Sequence, residues 1–295
     1  MATRPPQEGT GATLPVPPSG ADRALRELGG FLRHRRERLA AGPRRPGARS
    51  PGITREEVAA RAGISGDWYA RIEQARAPGV SEEALRAIGA ALALEPIETR
   101  YALRVLEAAR TAPSGPPSPD PALDPATVED LVAELRDAPA YVIDARWRIL
   151  AHNRAATLLH ADLDRCRGIG RNCLWLGFLD ARFRAALRDE ASVLAHLAAL
   201  FRFATAPHAG EAWRAELIEA LAERSADFAR LWGERGVADW GAAEKGFDHP
   251  ALGPLRFTHV SHRIAAMDGP PLRVVSYLPV EGSGTRAKVA RFVAS

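Results

Sequence analysis

The chain has almost no cysteine. Its 295 residues hold two, Cys166 and Cys173. They lie seven apart in a long chain with no export signal, which argues for reduced thiols rather than a disulfide framework. Further ligands at metal-binding spacing are missing, so no metal is expected. Lysine is nearly absent too: Lys245 and Lys288 are the only two among 40 basic residues, a bias that reports genome composition more than chemistry. Long apolar runs are lacking. The longest charge-free one, 191–201, is about half of what crosses a bilayer, and the N-terminus has no apolar core after Arg4. A cytoplasmic protein without membrane contact is expected. Catalytic signatures are missing as well: no glycine-rich phosphate loop, no G-x-S-x-G elbow and no HExxH. His259 and His262 fall on opposite faces of one strand and cannot chelate together. A cysteine paired with some histidine stays open, although buried structural cysteine is the commoner case. No catalytic residue, cofactor or enzymatic activity is expected.

What is present is enough apolar residue, 46%, for about two domains with true cores. Two proline-rich stretches divide the chain. Residues 1–20 have little to bury and read as a disordered arm; residues 111–123 read as an extended linker. A helical unit, 21–110, lies between them, and a mixed one, 124–295, follows. Charge separates the same way. Residues 21–110 carry 17 Arg against 12 acids, a net +5, whereas 111–295 carry 22 basic residues against 23 acids, a net −1. Within 33–55, Arg33, Arg35, Arg36, Arg38, Arg44, Arg45, Arg49 and Arg55 face one acid, Glu37. Such a cluster is either a phosphate-binding surface or a solvated helix face with a loop.

Helical spacing of Leu25, Leu28, Leu32 and Leu39, with Phe31, predicts a first helix up to about Ala40. Three prolines and three glycines in "AGPRRPGARSPG" break it with a basic loop. Thr54 and Glu57 form a T-x-x-E capping box for a second helix with Val58, Ala59 and Ala62 inward, and Gly63 ends it. Ser65 caps a third, with Tyr69 and Ile72 inward and Trp68 at the margin. Ser81 and Pro96 open a fourth and a fifth. In the second unit a helix near 124–136 precedes two strands in "AYVIDARWRILAHN", joined by a turn at Asp144–Arg146 and followed by a helix from Asn153. Helices are expected over 180–204 and 211–235 with caps at Asp180 and Ser225. "LRFTHVSHRIA" and "LRVVSYLPV" alternate as antiparallel strands. The fold class is an all-α unit plus an α+β domain.

In "TREEVAARAGISGDWYARIEQAR", small Ala59 lets two helices cross closely, Gly63 permits the sharp turn and Ile64 plugs the crossing. This is the chemistry of a helix-turn-helix, whose second helix lies in the DNA major groove. An ordinary helical hairpin would carry the same cap and glycine; the neighbouring arginine cluster and the five-helix count favour DNA. Region 25–110 resembles the lambda-repressor-like domain of the XRE family, and the quoted stretch resembles its MmyB-like regulators, where an arginine- and proline-rich insertion also precedes the second helix. "PAYVIDARWRILAHNRAA", "RNCLWLGFLDARFR", "ERSADFARLW" and "FDHPALGPLRF" resemble the ligand-binding domain of that group. The resemblance implies a PAS-like fold with a pocket for fatty-acyl-like molecules. It also implies that Glu73 pairs back to the bracing helix. One departure concerns Trp175 in "RNCLWLGF", where relatives usually carry a second arginine.

The pattern places Thr54, Arg55, Ser65, Gly66, Asp67, Trp68 and Arg71 at the DNA. Arg71 can bond guanine bidentately and Asp67 can accept from cytosine, unless they contact phosphate or brace each other. Gln74 and Arg76 fall a turn later, nearer the backbone. Arg44, Arg45 and Arg49 can follow phosphates, adding affinity without sequence information. In the second domain Trp147, Trp175, Phe178, Phe183, Leu197, Phe201, Phe228, Trp232 and Phe257 are the bulky residues to surround a cavity, each with plain core as its alternative. Asn153 is first a cap; Arg171, Asn172 and His259 are candidates for a ligand head group. The expectation is a homodimeric, nucleoid-associated transcription regulator that binds double-stranded DNA and senses a small amphipathic ligand. The alternative is a DNA-tethered protein-interaction module with a vestigial pocket.

Overall fold

The computed structural model describes residues 18–39, 52–111, 124–160, 163–264 and 270–295. Arg44, Arg45 and Arg49, the arm before residue 18 and the linker from 112 to 123 lie outside them.

Five helices form the N-terminal unit: α1 (Gly20–Arg38), α2 (Arg55–Ala62), α3 (Gly66–Glu73), α4 (Glu82–Ala91) and α5 (Pro96–Arg110). Their ends are set by local chemistry. The Thr54 hydroxyl accepts from the Glu57 amide while the Glu57 carboxylate accepts from the Thr54 amide. Ser65 and Ser81 cap α3 and α4. Gly63 ends α2 at φ 69°, a left-handed backbone that costs an L side chain energy. Ala59 is buried in the helical core as the sequence suggests, and a close helix crossing also lies outside the pair it singles out. It is α1 against α3: a Cβ on Gly29 would stand 2.6 Å from the carbonyl oxygens of both Ile72 and Glu73.

The C-terminal domain is an antiparallel five-stranded sheet in the order β2-β1-β5-β4-β3. Its strands are β1 (Ala140–Ile143), β2 (Ile149–His152), β3 (Ala243–His249), β4 (Gly253–Ile264) and β5 (Leu272–Pro279). Asp144 shapes the first hairpin by accepting from the amides of Arg146 and Arg148 at 2.9 and 2.8 Å. α6 (Pro125–Ala133) covers one face through Val128 and Val132 against Val142 and Val274. The other face carries Tyr141, Phe257, Tyr277 and Phe247. Over it lie α7 (Cys173–Leu179), α8 (Ala181–Ala186), α9 (Glu190–Ala204), α10 (Ala212–Arg224) and α11 (Ala226–Gly233), with α12 (Thr285–Ala294) at the C-terminal end.

Three details differ from the sequence reading. The helix after Asn153 is a single 3-10 turn, Arg154–Leu158. The two long helical stretches are broken, at Leu187–Asp189 and at Ser225. β3 and α12 add to the elements read from the sequence; β3 is exposed at most positions and lacks the alternation that announces a strand.

The two units share a core. Phe203, Ala206 and Ala209, which follow the end of the α9 cavity stripe, pack among Leu28, Phe31, Tyr101 and Leu106 of the N-terminal unit. Backbone meets backbone where α1 begins: a Cβ on Gly210 would stand 2.7 Å from the Gly20 carbonyl. Glu27 of α1 receives hydrogen bonds from Tyr101 and from Arg202 of α9.

Candidate DNA interface and ligand cavity

On the N-terminal unit the described residues nominated for DNA run from the cap of α2 through α3 to the turn after it. Thr54, Ser65, Asp67, Arg71, Gln74 and Arg76 are exposed, and Arg55, Gly66 and Trp68 are partly so. Arg71 and Asp67, one turn apart, form an ion pair at 2.8 Å while staying 60% and 76% exposed. Water screens such a pair, so it holds little energy and can open to a base.

Four of the eight clustered arginines, Arg33, Arg35, Arg36 and Arg55, form ion pairs within the protein, while Arg44, Arg45 and Arg49 lie outside the described residues. Glu73, fully buried, takes Arg36 at 2.6 Å and Arg55 at 2.7 Å. Burial would raise the Glu73 carboxyl, but these two partners hold it below the usual range. Arg36 also donates to the Ile53 carbonyl at 3.1 Å. Arg35 pairs with Glu98 and Arg33 with Glu37. Glu73 thus ties α3 to α1 and to the first residue of α2, and Arg55 reaches the surface from that anchor.

In the C-terminal domain a cavity of about 460 Å3, its mouth included, lies between the sheet and α7–α9. Its space is narrow, enough for about one water molecule. Val193, His196, Leu197 and Leu200 of α9 form one wall at helical spacing. Trp147 and Trp240, with ring centroids 5.4 Å apart, form another. Leu197 lies over Gly177, where a Cβ would stand 2.2 Å from its Cδ2. Residue 177 is small because the leucine occupies that space.

Residues 27–102 match a helix-turn-helix domain family, and residues 125–291 match the MmyB-like transcription regulator ligand binding domain. The chain belongs to the MmyB-like transcription regulators. No curated protein matches it.

In this MmyB-like regulator the cavity lining includes part of the residue set that the sequence suggests. Trp147, Phe183, Leu197 and His259 line the cavity. Phe178, Phe201, Phe228 and Phe257 are fully buried core outside its lining, and Trp232 stacks on Phe228 with the Arg202 guanidinium 3.7 Å from its ring centroid. Asn153 caps the 3-10 turn and donates to the carbonyls of Leu135 and Ala138 at 2.8 Å. Arg171 donates to the Ile149 and Leu150 carbonyls, and Asn172 caps α7. Their polar groups satisfy backbone, leaving them unsuited to a head group in this cavity. Trp175 also stands outside the lining, with Arg224 over its ring at 5.5 Å.

The polar groups that do line it are Tyr141, His160, Cys173, His196, Lys245, His259 and Tyr277. Burial, with Lys245 and His196 nearby, depresses His259 to about 3, and its Nδ1 has no hydrogen-bond partner among the described residues. Burial also lowers His160 to about 4, despite Asp180. Lys245 left a signal in the sequence: it is one of two lysines in an arginine-rich chain.

No helix among the described residues is long and apolar enough to cross a membrane.

Proposed function

We propose that this regulator binds its operator as a homodimer through Arg55, Asp67 and Arg71, and that a small amphipathic molecule with a fatty-acyl-like body enters the α7–α9 cavity and alters DNA affinity. The observation that carries the reading is the double role of α9. Leu200 faces the cavity, while Arg202, about 200° further around the helix, bonds Glu27 of the DNA-binding unit. The cavity is too narrow for an acyl chain as it stands, so a ligand has to displace Leu197 or α9 itself. Movement of α9 acts directly on the Glu27 contact. A ligand that prefers the displaced form shifts the balance between two domain arrangements by its difference in affinity for them.

Dimerisation follows from information content. One short α3 reads few bases, so two half-sites about 10 base pairs apart, or a multiple, are expected. The test combines native mass spectrometry for copurified ligand, light scattering, and operator binding with and without an acyl-chain series. Ligand-dependent operator affinity in a dimer supports the reading. A cavity that stays closed to every compound, in a protein that still binds DNA, supports the interaction-module alternative.

A further inference from the structure

Lys245 occupies a position where strand alternation calls for an apolar side chain. It pairs in register with Phe257, and two residues on, Phe247 pairs with Leu255; all three partners are fully buried on the helix-covered face. Lys245 lines the cavity, its Nζ 5.9 Å from the Tyr277 ring centroid, and makes no hydrogen bond or ion pair among the described residues. His259 lies diagonally across the same face, pairing with Ala243, and offers its unpartnered Nδ1.

Resting on the ligand-binding reading above, we propose that Lys245 is the head-group anchor of the cavity and that it selects a singly anionic carboxylate on an apolar body.

The charges around it fix the sign. Cys173 of α7, Tyr141 of β1 and Tyr277 of β5 face Lys245, and burial pushes all three up, so they are neutral near pH 7. His160, His196 of α9 and His259 are pushed down and are neutral too. Asp180 faces His160 at 3.9 Å and caps α8 through the Arg182 and Phe183 amides. One cation therefore stands without a counter-charge, which matches one negative charge rather than a phosphate dianion. Burial lowers Lys245 to about 8. It is therefore mainly an ammonium near pH 7 and loses its charge as pH rises past about 8, and a carboxylate beside it holds the ammonium to higher pH, as an opposite charge raises a neighbouring amine. Arginine stays protonated throughout and could not act this way.

The probes are straight-chain carboxylates from butanoate to dodecanoate and the matching primary alcohols, titrated into the full chain with tryptophan fluorescence as readout, since Trp147 and Trp240 line the cavity. Wild type is expected to prefer the carboxylate of the best-fitting length by at least about tenfold. Its Kd is expected to rise about tenfold from pH 7 to pH 9 as the free amine deprotonates, while the alcohol Kd stays level. Lys245→Met is expected to bind both head groups alike without pH dependence. Lys245→Arg is expected to keep the carboxylate preference and lose the pH step. Equal binding of carboxylate and alcohol by wild type, or an unchanged preference in Lys245→Met, overturns the anchor while leaving the ligand cavity standing. Binding of neither series to wild type overturns both.

Discussion

Glu27 and Arg202 form a buried ion pair across the boundary between the DNA-binding unit and the sensor domain, with Arg202 only 1% exposed. Arg214 at 3.9 Å and Arg235 at 3.5 Å approach the same carboxylate. Burial alone would raise Glu27, but the three guanidinium groups and the Tyr101 hydroxyl hold it at about 2, against the usual 4.5. A depressed carboxylate stabilises the folded state above its unfolded pKa. That contribution, on the order of 3 kcal/mol, is therefore expected to be lost as pH falls from about 4.5 toward 2. Urea titrations across this range check it. Glu27→Gln is expected to flatten this part of the profile and to weaken ligand control of operator binding.

Glu73 serves two arginines, and only Arg55 has a path to water. In Glu73→Gln the buried Arg36 guanidinium loses its closest counter-charge and keeps only Glu37 at 3.5 Å, so the cost is expected to reach at most the roughly 3–5 kcal/mol of a broken buried pair. Denaturant unfolding is expected to show a loss within that limit. Operator affinity falls with it, because Arg55 loses its anchor.

Asp67 and Arg71 are expected to behave in the opposite way. Their exposed pair contributes little to folding, so Arg71→Ala is expected to change stability by less than about 0.5 kcal/mol. Selectivity is the readout. Loss of one base contact is worth about 1–3 kcal/mol at one base pair per half-site, and selection from random oligonucleotides is expected to return a relaxed motif. An unchanged motif removes Arg71 from base reading.

Gly29→Ala tests the helix crossing. The added methyl meets two α3 carbonyls whose positions the Glu73 network fixes, and overpacking of this kind costs about 1–3 kcal/mol. A lower melting temperature with reduced operator binding is expected. Gly30→Ala is the milder comparison, because its neighbour is the far end of the Arg235 side chain rather than backbone, and displacing it withdraws one guanidinium from Glu27.

The helix-turn-helix is legible in the sequence because its signals are local. Caps at Thr54, Ser65 and Ser81 act within three residues, and Gly63 announces its own backbone. The β1–β2 and β4–β5 hairpins are legible for the same reason, whereas β3 is not. The cavity is not, since its lining comes from elements far apart in sequence. Counting aromatic residues picks out Phe178, Phe201 and Phe228, yet large rings at helical spacing pack against each other before they line anything. Polar residues mislead differently. Arg171 and Asn172 satisfy neighbouring backbone, whereas Lys245, read as genome bias, occupies an inward strand position that only the β3–β4 register reveals. The fate of the arginine cluster depends on Glu73 and Glu98, whose distance in sequence hides their service to α1.

The shared core formed by Phe203, Ala206 and Ala209 bears on how this architecture can be cut and recombined. The proline-rich stretch looks like a seam where a gene fusion could exchange one sensor for another. A helix-turn-helix unit severed there would carry away Glu27 without its guanidinium partners and an uncovered apolar patch around Phe31 and Tyr101. A foreign sensor joined at that point would have to bring its own arginine and its own phenylalanine to the same places.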